Sequence, residues 1–315
     1  MVQRAKSNAE AKRRKLLNKV KTDAIGYVLI APLLVGLTIF TLYPLLLSLY
    51  NSFFLDYDGF NARSDFIFGL GNYLKAFRGY ESKVFFQSIR ITFLYALIMV
   101  PLGLVLSFAV ALFLNQKLKG ILVFRLIYYI PCLIPSIINA VIFGYVFNSQ
   151  SYGLINSVLI KLNLPAREFF YSARGEAVVT FACMSLFGVG GSMLIWLAGL
   201  KSIPQSYYEA AKIEGSGYFN TLFRITIPLC APYIFYQLIT STIGTLQICD
   251  QVYVISSTGG RENSLMFYGV YIYRMFQLNN FGYSAALAYM LFVVIAVLSA
   301  LLFRFNKYVY YEGDD

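Results

Sequence analysis

Six long apolar runs constrain this chain more than any other feature of its sequence. They cover residues 24–50, 86–114, 122–147, 177–200, 225–249 and 284–305. Each run reaches the roughly 20 residues that a helix needs to cross the core of a bilayer. Charged residues make up 13% of the 315 residues, whereas a soluble domain contains roughly 25%. The sequence therefore predicts an all-α, polytopic membrane protein with about six transmembrane helices.

Basic residues are concentrated before the first apolar run, and this sets the expected orientation. The cluster consists of Arg4, Lys6, Lys12, Arg13, Arg14, Lys15, Lys19 and Lys21. Basic residues directly before a membrane span are typical of the cytoplasmic side, so we interpret the net charge of +11 as an anchor and not as a nucleic-acid surface. Six spans then put both termini in the cytoplasm.

The chain is expected to form one membrane domain with two cytoplasmic ends. Residues 1–23 would be a basic N-terminal arm, residues 24–305 the six-helix domain, and residues 306–315 a tail. The first run is longer than the apolar part of a cleavable signal peptide and lacks a small-residue cleavage site, so we expect it to be retained. Between the spans, no stretch is long enough to bury a core of its own.

Several kinds of chemistry are excluded by residues that the sequence lacks. There is no histidine, which removes Ser-His-Asp triads and His-ligated zinc. Cys132, Cys183, Cys230 and Cys249 lie far apart, which predicts neither a CxxC site nor a disulfide framework. No GxxxxGK[ST] loop for ATP occurs. We therefore expect no catalytic residue, no metal site and no bound cofactor, and energy for any transport would come from another subunit.

Prolines and glycines interrupt the apolar runs. Pro101, Pro131, Pro135 and Pro228 predict kinks, with or without a functional role. The segment Gly188-Val189-Gly190-Gly191-Ser192 would either allow close approach of two helices or leave room beside a ligand. Both interpretations remain open at this point.

The cytoplasmic loop at residues 201–228 is the most informative segment. Ser202 and Pro204 suit a helix N-terminus, and Gly215 and Gly217 supply permissive backbone angles for a reversal. Tyr207, Tyr208 and Ile213 surround the small pair Ala210-Ala211, a pattern that favours a helix docked in a groove of another protein. The alternative is an amphipathic helix on the lipid surface.

This loop resembles the EAA loop of permeases of binding-protein-dependent ABC importers. The match consists of Glu209-Ala210-Ala211, Gly215 six residues after Glu209, and Ile225-x-Ile227-Pro228. The resemblance implies the type I permease fold and a coupling helix that docks on a cytoplasmic ATPase, with Glu209 pairing with a basic group there. Glu214 stands where the family commonly has aspartate. The implied coupling residues are Glu209, Ala210, Ala211, Glu214, Gly215 and Pro228.

Other segments resemble the carbohydrate-uptake branch of that family, the maltose and glycerol-phosphate type. These are Ala31-Pro32 through Tyr43-Pro44, Ser52-Phe53, Pro131 with Pro135, Asp250-Gln251-Val252-Tyr253 and Gly259-Gly260, although Arg261 replaces the usual proline. The resemblance implies sugar-site positions on three spans: Cys132 and Ser136 on the third, Gly188 and Gly191 on the fourth, and Ser241 and Thr245 on the fifth. Ser192 and Asn139 are added as pathway candidates, and Trp196 and Gln247 as groups that either contact solute or form ordinary interhelical contacts.

The resemblance also implies partners and a location. The partners would be a second permease of different sequence, two copies of a cytoplasmic ABC ATPase that uses ATP and Mg, and an extracytoplasmic solute-binding protein. The location would be the cytoplasmic membrane of a bacterium or archaeon. The alternatives are a permease for a non-sugar solute and an ion-coupled secondary transporter. The latter is disfavoured because acidic residues are absent from the middle of the spans.

Overall fold

The computed structural model describes residues 26–116, 119–172 and 175–305, and within these ranges the chain is mostly helical. The expected N-terminal arm and C-terminal tail lie outside the described residues. The helices are α1 (Gly26–Ser52), α2 (Gly71–Lys75), α3 (Gly79–Leu114), α4 (Ile121–Leu133), α5 (Ser136–Val146), α6 (Leu154–Lys161), α7 (Glu176–Gly188), α8 (Gly190–Ser202), α9 (Gln205–Ile213), α10 (Tyr218–Leu229), α11 (Ala231–Leu246), α12 (Asp250–Ile255), α13 (Tyr268–Gln277) and α14 (Phe281–Phe305).

Three of the six expected spans are single helices and three are bent pairs. Helices α1, α3 and α14 are each long and apolar enough to cross a membrane alone. The runs at 122–147 and 225–249, in which prolines predict kinks, are bent, and so is the run at 177–200, which contains no proline. Helices α4 and α5 meet at 97°, α7 and α8 meet at 48°, and α10 meets the segment Ala231–Ile255 at 68°. Six spans result when each bent pair counts as one.

Only some of the prolines coincide with these bends. Pro135 follows Ile134, whose extended backbone (φ −75°, ψ 124°) separates α4 from α5, because a residue before proline is pushed out of the helical region. Pro228 lies two residues before the bend at Cys230. Pro101 and Pro131 instead lie inside helices that continue past them.

Helix α3 crosses the whole domain, and a buried cluster packs against each of its halves. Its first half, with α7 and α13, encloses an outer cluster in which the Tyr95 and Phe267 rings meet edge to face at 5.1 Å. Its second half, with α8, encloses an inner cluster around Trp196. Helix α1 contributes to neither cluster, and most of its apolar side chains are exposed. The inner cluster therefore supports the loop that follows α8.

Close contact of α4 with α8 depends on a single glycine. A Cβ atom added to Gly190 would lie 1.8 Å from the carbonyl oxygen of Tyr128. No side chain larger than hydrogen fits at this position without separating the two helices. The fourth span is thereby held against the third.

Candidate functional site

Helix α9 begins at a proline and turns back at a glycine. Pro204 occupies the N-cap position with extended backbone. Ser202 was expected to help start this helix, but it ends α8 instead, and its hydroxyl donates to the carbonyl of Gly199 at 2.8 Å.

The C-terminal turn of α9 is a complete Schellman motif. The N–H of Ser216 donates to the Ala211 carbonyl at 2.8 Å, and the N–H of Gly215 donates to the Lys212 carbonyl at 3.2 Å. Gly215 has φ +73°, which a residue with a side chain adopts only under strain. The predicted helix-ending turn at Gly215 is confirmed. Gly217 was expected to share it, but its φ of −71° is open to any residue.

The inner side of α9 is anchored to the membrane domain. Ala211 is 5% exposed, and Ile203, just before the helix, belongs to the inner cluster. The Tyr208 ring packs on that cluster, and its hydroxyl lies 3.3 Å from the Thr226 hydroxyl of α10. Movement of α9 would therefore be transmitted to α8 and α10, which are the parts of two bent spans that adjoin this loop.

The outer side of α9 combines exposed carboxylates with exposed apolar side chains. Glu209, Ala210 and Glu214 are exposed, and among the described residues neither carboxylate forms an ion pair. Ile213 is 89% exposed. Further exposed aromatic side chains follow at Tyr207, Tyr218, Phe219 and Phe223. We call this surface, from Tyr207 to Phe223, the docking face. Pro228 lies behind it, half-buried within α10.

Two of the expected pathway residues, Gly191 and Cys132, face each other across α4 and α8. A Cβ atom added to Gly191 would lie 3.7 Å from the Cβ of Cys132, whose thiol donates to the Tyr129 carbonyl. Gly188 faces open space, with no atom within 4 Å of an added Cβ. The glycines therefore divide into one packing residue, Gly190, and two that leave room.

A second pair of pathway residues lies just after the bend between α4 and α5. Ser136 is exposed, and Asn139 is buried. The side-chain oxygen of Asn139 has no hydrogen-bond partner among the described residues. A buried amide without a partner costs about 1–3 kcal/mol, so it is a group that a polar ligand could satisfy.

The remaining pathway residues lie on α8 and on one face of α11. The side-chain amide of Gln237 donates to the Ser192 carbonyl at 3.0 Å and joins these helices. Ser241 and Thr245 follow Gln237 at intervals of four residues, which places all three on the same face of α11. Both hydroxyl residues are half-buried. Sequence reasoning missed Gln237. A polar side chain inside an apolar run is a signal that could have identified it.

The two further candidates, Trp196 and Gln247, differ in their exposure. Trp196 is 1% exposed and its indole N–H donates to the Ser107 hydroxyl at 2.8 Å, so it forms an interhelical contact and is not open to solute. Gln247 is exposed at the end of α11.

Known proteins with similar sequence and structure are permeases. The family model described as binding-protein-dependent transport system inner membrane component matches residues 99–310. The probable ABC transporter permease protein YesP of Bacillus subtilis is 34% identical over 299 residues, covering 94% of each chain. The lactose transport system permease protein LacF of Rhizobium radiobacter is 31% identical, covering 89% of this chain and 93% of its own.

Solved structures show the same fold. A bacterial alginate ABC transporter, crystallised in complex with an alginate pentasaccharide-bound periplasmic protein, contains a chain that matches with a TM-score of 0.79 at 19% identity. The match covers 94% of this chain and 99% of that one. In the present chain, the bent helix pairs and the loop helix α9, which ends at Gly215, lie within the residues that match this one family. This chain belongs to the family of binding-protein-dependent transport system inner membrane components, and it is the membrane permease of an ABC importer.

Proposed function

We propose that this permease moves a sugar or oligosaccharide, delivered by an extracytoplasmic binding protein, through alternating access driven by ATPases that dock on α9. The solute class is supported by relatives over nearly the whole chain. Their names specify lactose and, for a Thermococcus litoralis relative 30% identical to this chain, trehalose and maltose. ATP and Mg would be used by the partner ATPases and not by this chain.

The docking face carries the proposal. Its exposed carboxylates and apolar side chains lie on a helix that is fixed to the domain on its other side. A helix that rests on lipid has Lys and Arg along its polar face, whereas α9 has Lys212 beside Glu209, with Glu214 following. A groove in a protein, with a basic group opposite Glu209, satisfies both the charge and the apolar surface.

The solute pathway would run where the bends bring small and polar groups together. Gly188 and Gly191 leave room, and Asn139 offers an acceptor to a sugar hydroxyl. The other pathway residues in this proposal are Cys132, Ser136, Ser192, Ser241 and Thr245. A hydrogen bond from solute to Asn139 would satisfy an oxygen that is otherwise buried without a partner.

A second permease would complete the pathway. The most apolar part of α1 has no buried residue within the described chain, although this helix is one of the six spans. Six spans enclose only part of a channel, so we propose a partner permease of different sequence, both termini of this chain in the cytoplasm, and two ATPase copies below.

The test compares the variant Glu209→Ala with Glu176→Ala in complexes reconstituted with ATPase and binding protein. Both positions are exposed carboxylates, but Glu176 starts α7 and is not on the docking face. Loss of one charge-assisted contact costs about 1.5–3 kcal/mol, so Glu209→Ala should reduce binding-protein-stimulated ATP hydrolysis by about tenfold or more. Equal stimulation in both variants would refute the docking role.

A further inference from the structure

A cavity of about 440 Å³ lies between the end of α1 and the start of α14, away from the helices that carry the proposed pathway. Helix α14 is bonded there to the loop that follows α1: the Gly282 N–H donates to the Tyr57 carbonyl at 2.9 Å. The Tyr289 hydroxyl of α14 also lies 3.3 Å from the Ser48 hydroxyl of α1. This end of α1 is the extracytoplasmic end in the proposed topology.

The chemistry of the cavity changes with depth. Asn51 and Arg63 line it beside the last turn of α1, the end that faces the outer membrane surface in the proposed topology. Leu47 lies one turn deeper on α1, and Ala288 lies about 10 Å deeper than Phe281 along α14, at 1.5 Å per residue. Ser48 and Ser284 also line this deeper part, but their hydroxyls donate to the carbonyls of Leu45 and Ile272. The cavity therefore has a polar, cationic mouth and a mainly apolar interior.

Arg63 has unused hydrogen-bonding capacity at this mouth. Its Nε donates to the Asn51 side chain at 3.0 Å, and its guanidinium lies 5.5 Å from the Tyr50 ring centre and 5.6 Å from that of Tyr57. These contacts fix the group in position. Its two terminal nitrogens have no hydrogen-bond or ion-pair partner in the part of the chain that the structure describes.

We propose that this cavity binds one anionic glycerophospholipid of the surrounding membrane. The headgroup phosphate accepts from the free terminal nitrogens of Arg63, a planar fork that suits phosphate. An acyl chain fills the interior beside Leu47, Ala285 and Ala288. A free phosphate ion would leave those apolar walls uncovered, whereas a lipid satisfies both parts of the cavity.

The test is lipid retention by the full-length chain, purified in mild detergent in its complex with the second permease and measured by native mass spectrometry with added dioleoyl phosphatidylglycerol. Arg63→Gln removes the charge, and Ala288→Phe fills the interior. Arg63→Lys keeps the charge. Arg78→Gln is the matched control, because Arg78 is an exposed arginine outside the cavity. We expect one retained lipid, with affinity about tenfold lower in Arg63→Gln and Ala288→Phe, near wild type in Arg78→Gln, and intermediate in Arg63→Lys.

Three results would overturn the proposal. Equal lipid retention in all variants would show that Arg63 and the cavity do not bind lipid. Displacement of the lipid by inorganic phosphate at matched ionic strength would make the cavity a simple anion site. In the third result, the Arg63→Gln and Ala288→Phe complexes would each lose the second permease on purification while lipid retention stayed unchanged. The cavity would then be part of a subunit interface.

Discussion

The substitution Gly190→Ala tests the packing of α4 against α8 that shapes the proposed pathway. The new Cβ would lie 1.8 Å from the Tyr128 carbonyl oxygen, and ordinary contact begins at 3.4 Å. The two helices must therefore separate by more than about 1 Å, a change that typically costs about 1–3 kcal/mol. Alanine regains about 0.5–1 kcal/mol as a better helix former. The net loss should be about 1–2 kcal/mol.

The neighbouring glycines provide matched controls for this substitution. Gly191→Ala places its Cβ 3.7 Å from Cys132, an ordinary contact, and Gly188→Ala meets no atom within 4 Å. Both should be as stable as wild type or slightly more stable. The assay is the melting temperature of the purified complex, measured for all three variants in one detergent.

A bulky residue at Gly188 separates packing from transport. Because the position faces open space, Gly188→Trp should leave assembly and melting temperature near wild type while blocking uptake per assembled complex. The reasoning would be refuted if Gly190→Ala melted like wild type while Gly188→Ala was destabilised. Uptake per complex equal to wild type in Gly188→Trp would remove Gly188 from the pathway.

Three further predictions follow from individual contacts. Gly215→Ala should destabilise the turn after α9 by about 1–2 kcal/mol, seen as faster amide hydrogen exchange in α9, whereas Gly217→Ala should not, since only Gly215 has positive φ. Asn139→Leu should leave the melting temperature unchanged or higher, because it removes an unpaired buried oxygen, yet lower uptake per complex; unchanged uptake would contradict its role. Trp196→Phe should cost about 1 kcal/mol of stability through the lost bond to Ser107, with uptake per complex preserved; impaired uptake would show a role in the pathway.

The sequence predicted the position of the apolar spans because length and hydropathy are properties of each run alone. It predicted kinks at four prolines but not which of them would interrupt a helix. Pro131 and Pro135 are locally equivalent in sequence, yet the helix continues through Pro131 and ends before Pro135. Which proline interrupts a helix depends on where neighbouring helices pack, and that information lies elsewhere in the chain.

In the candidate site, too, features set by local sequence could be predicted, and features set by packing could not. Gly215 could be assigned from the sequence because a helix-ending turn requires positive φ locally. The roles of Gly188, Gly190 and Gly191 could not be separated, because only the position of the Tyr128 backbone makes Gly190 the packing residue. Trp196 was ambiguous for a similar reason, since its partner Ser107 lies 89 residues away in the chain.

Photo-cross-linking from Ile213 tests the central claim, that α9 couples this permease to an ATPase. Ile213 is 89% exposed on the docking face, so a photoreactive amino acid there should not disturb the fold. In native membranes, we predict a cross-link to a protein that mass spectrometry identifies as an ABC ATPase, with none from the same label at Glu176. Cross-links from position 213 to lipid alone would contradict the account.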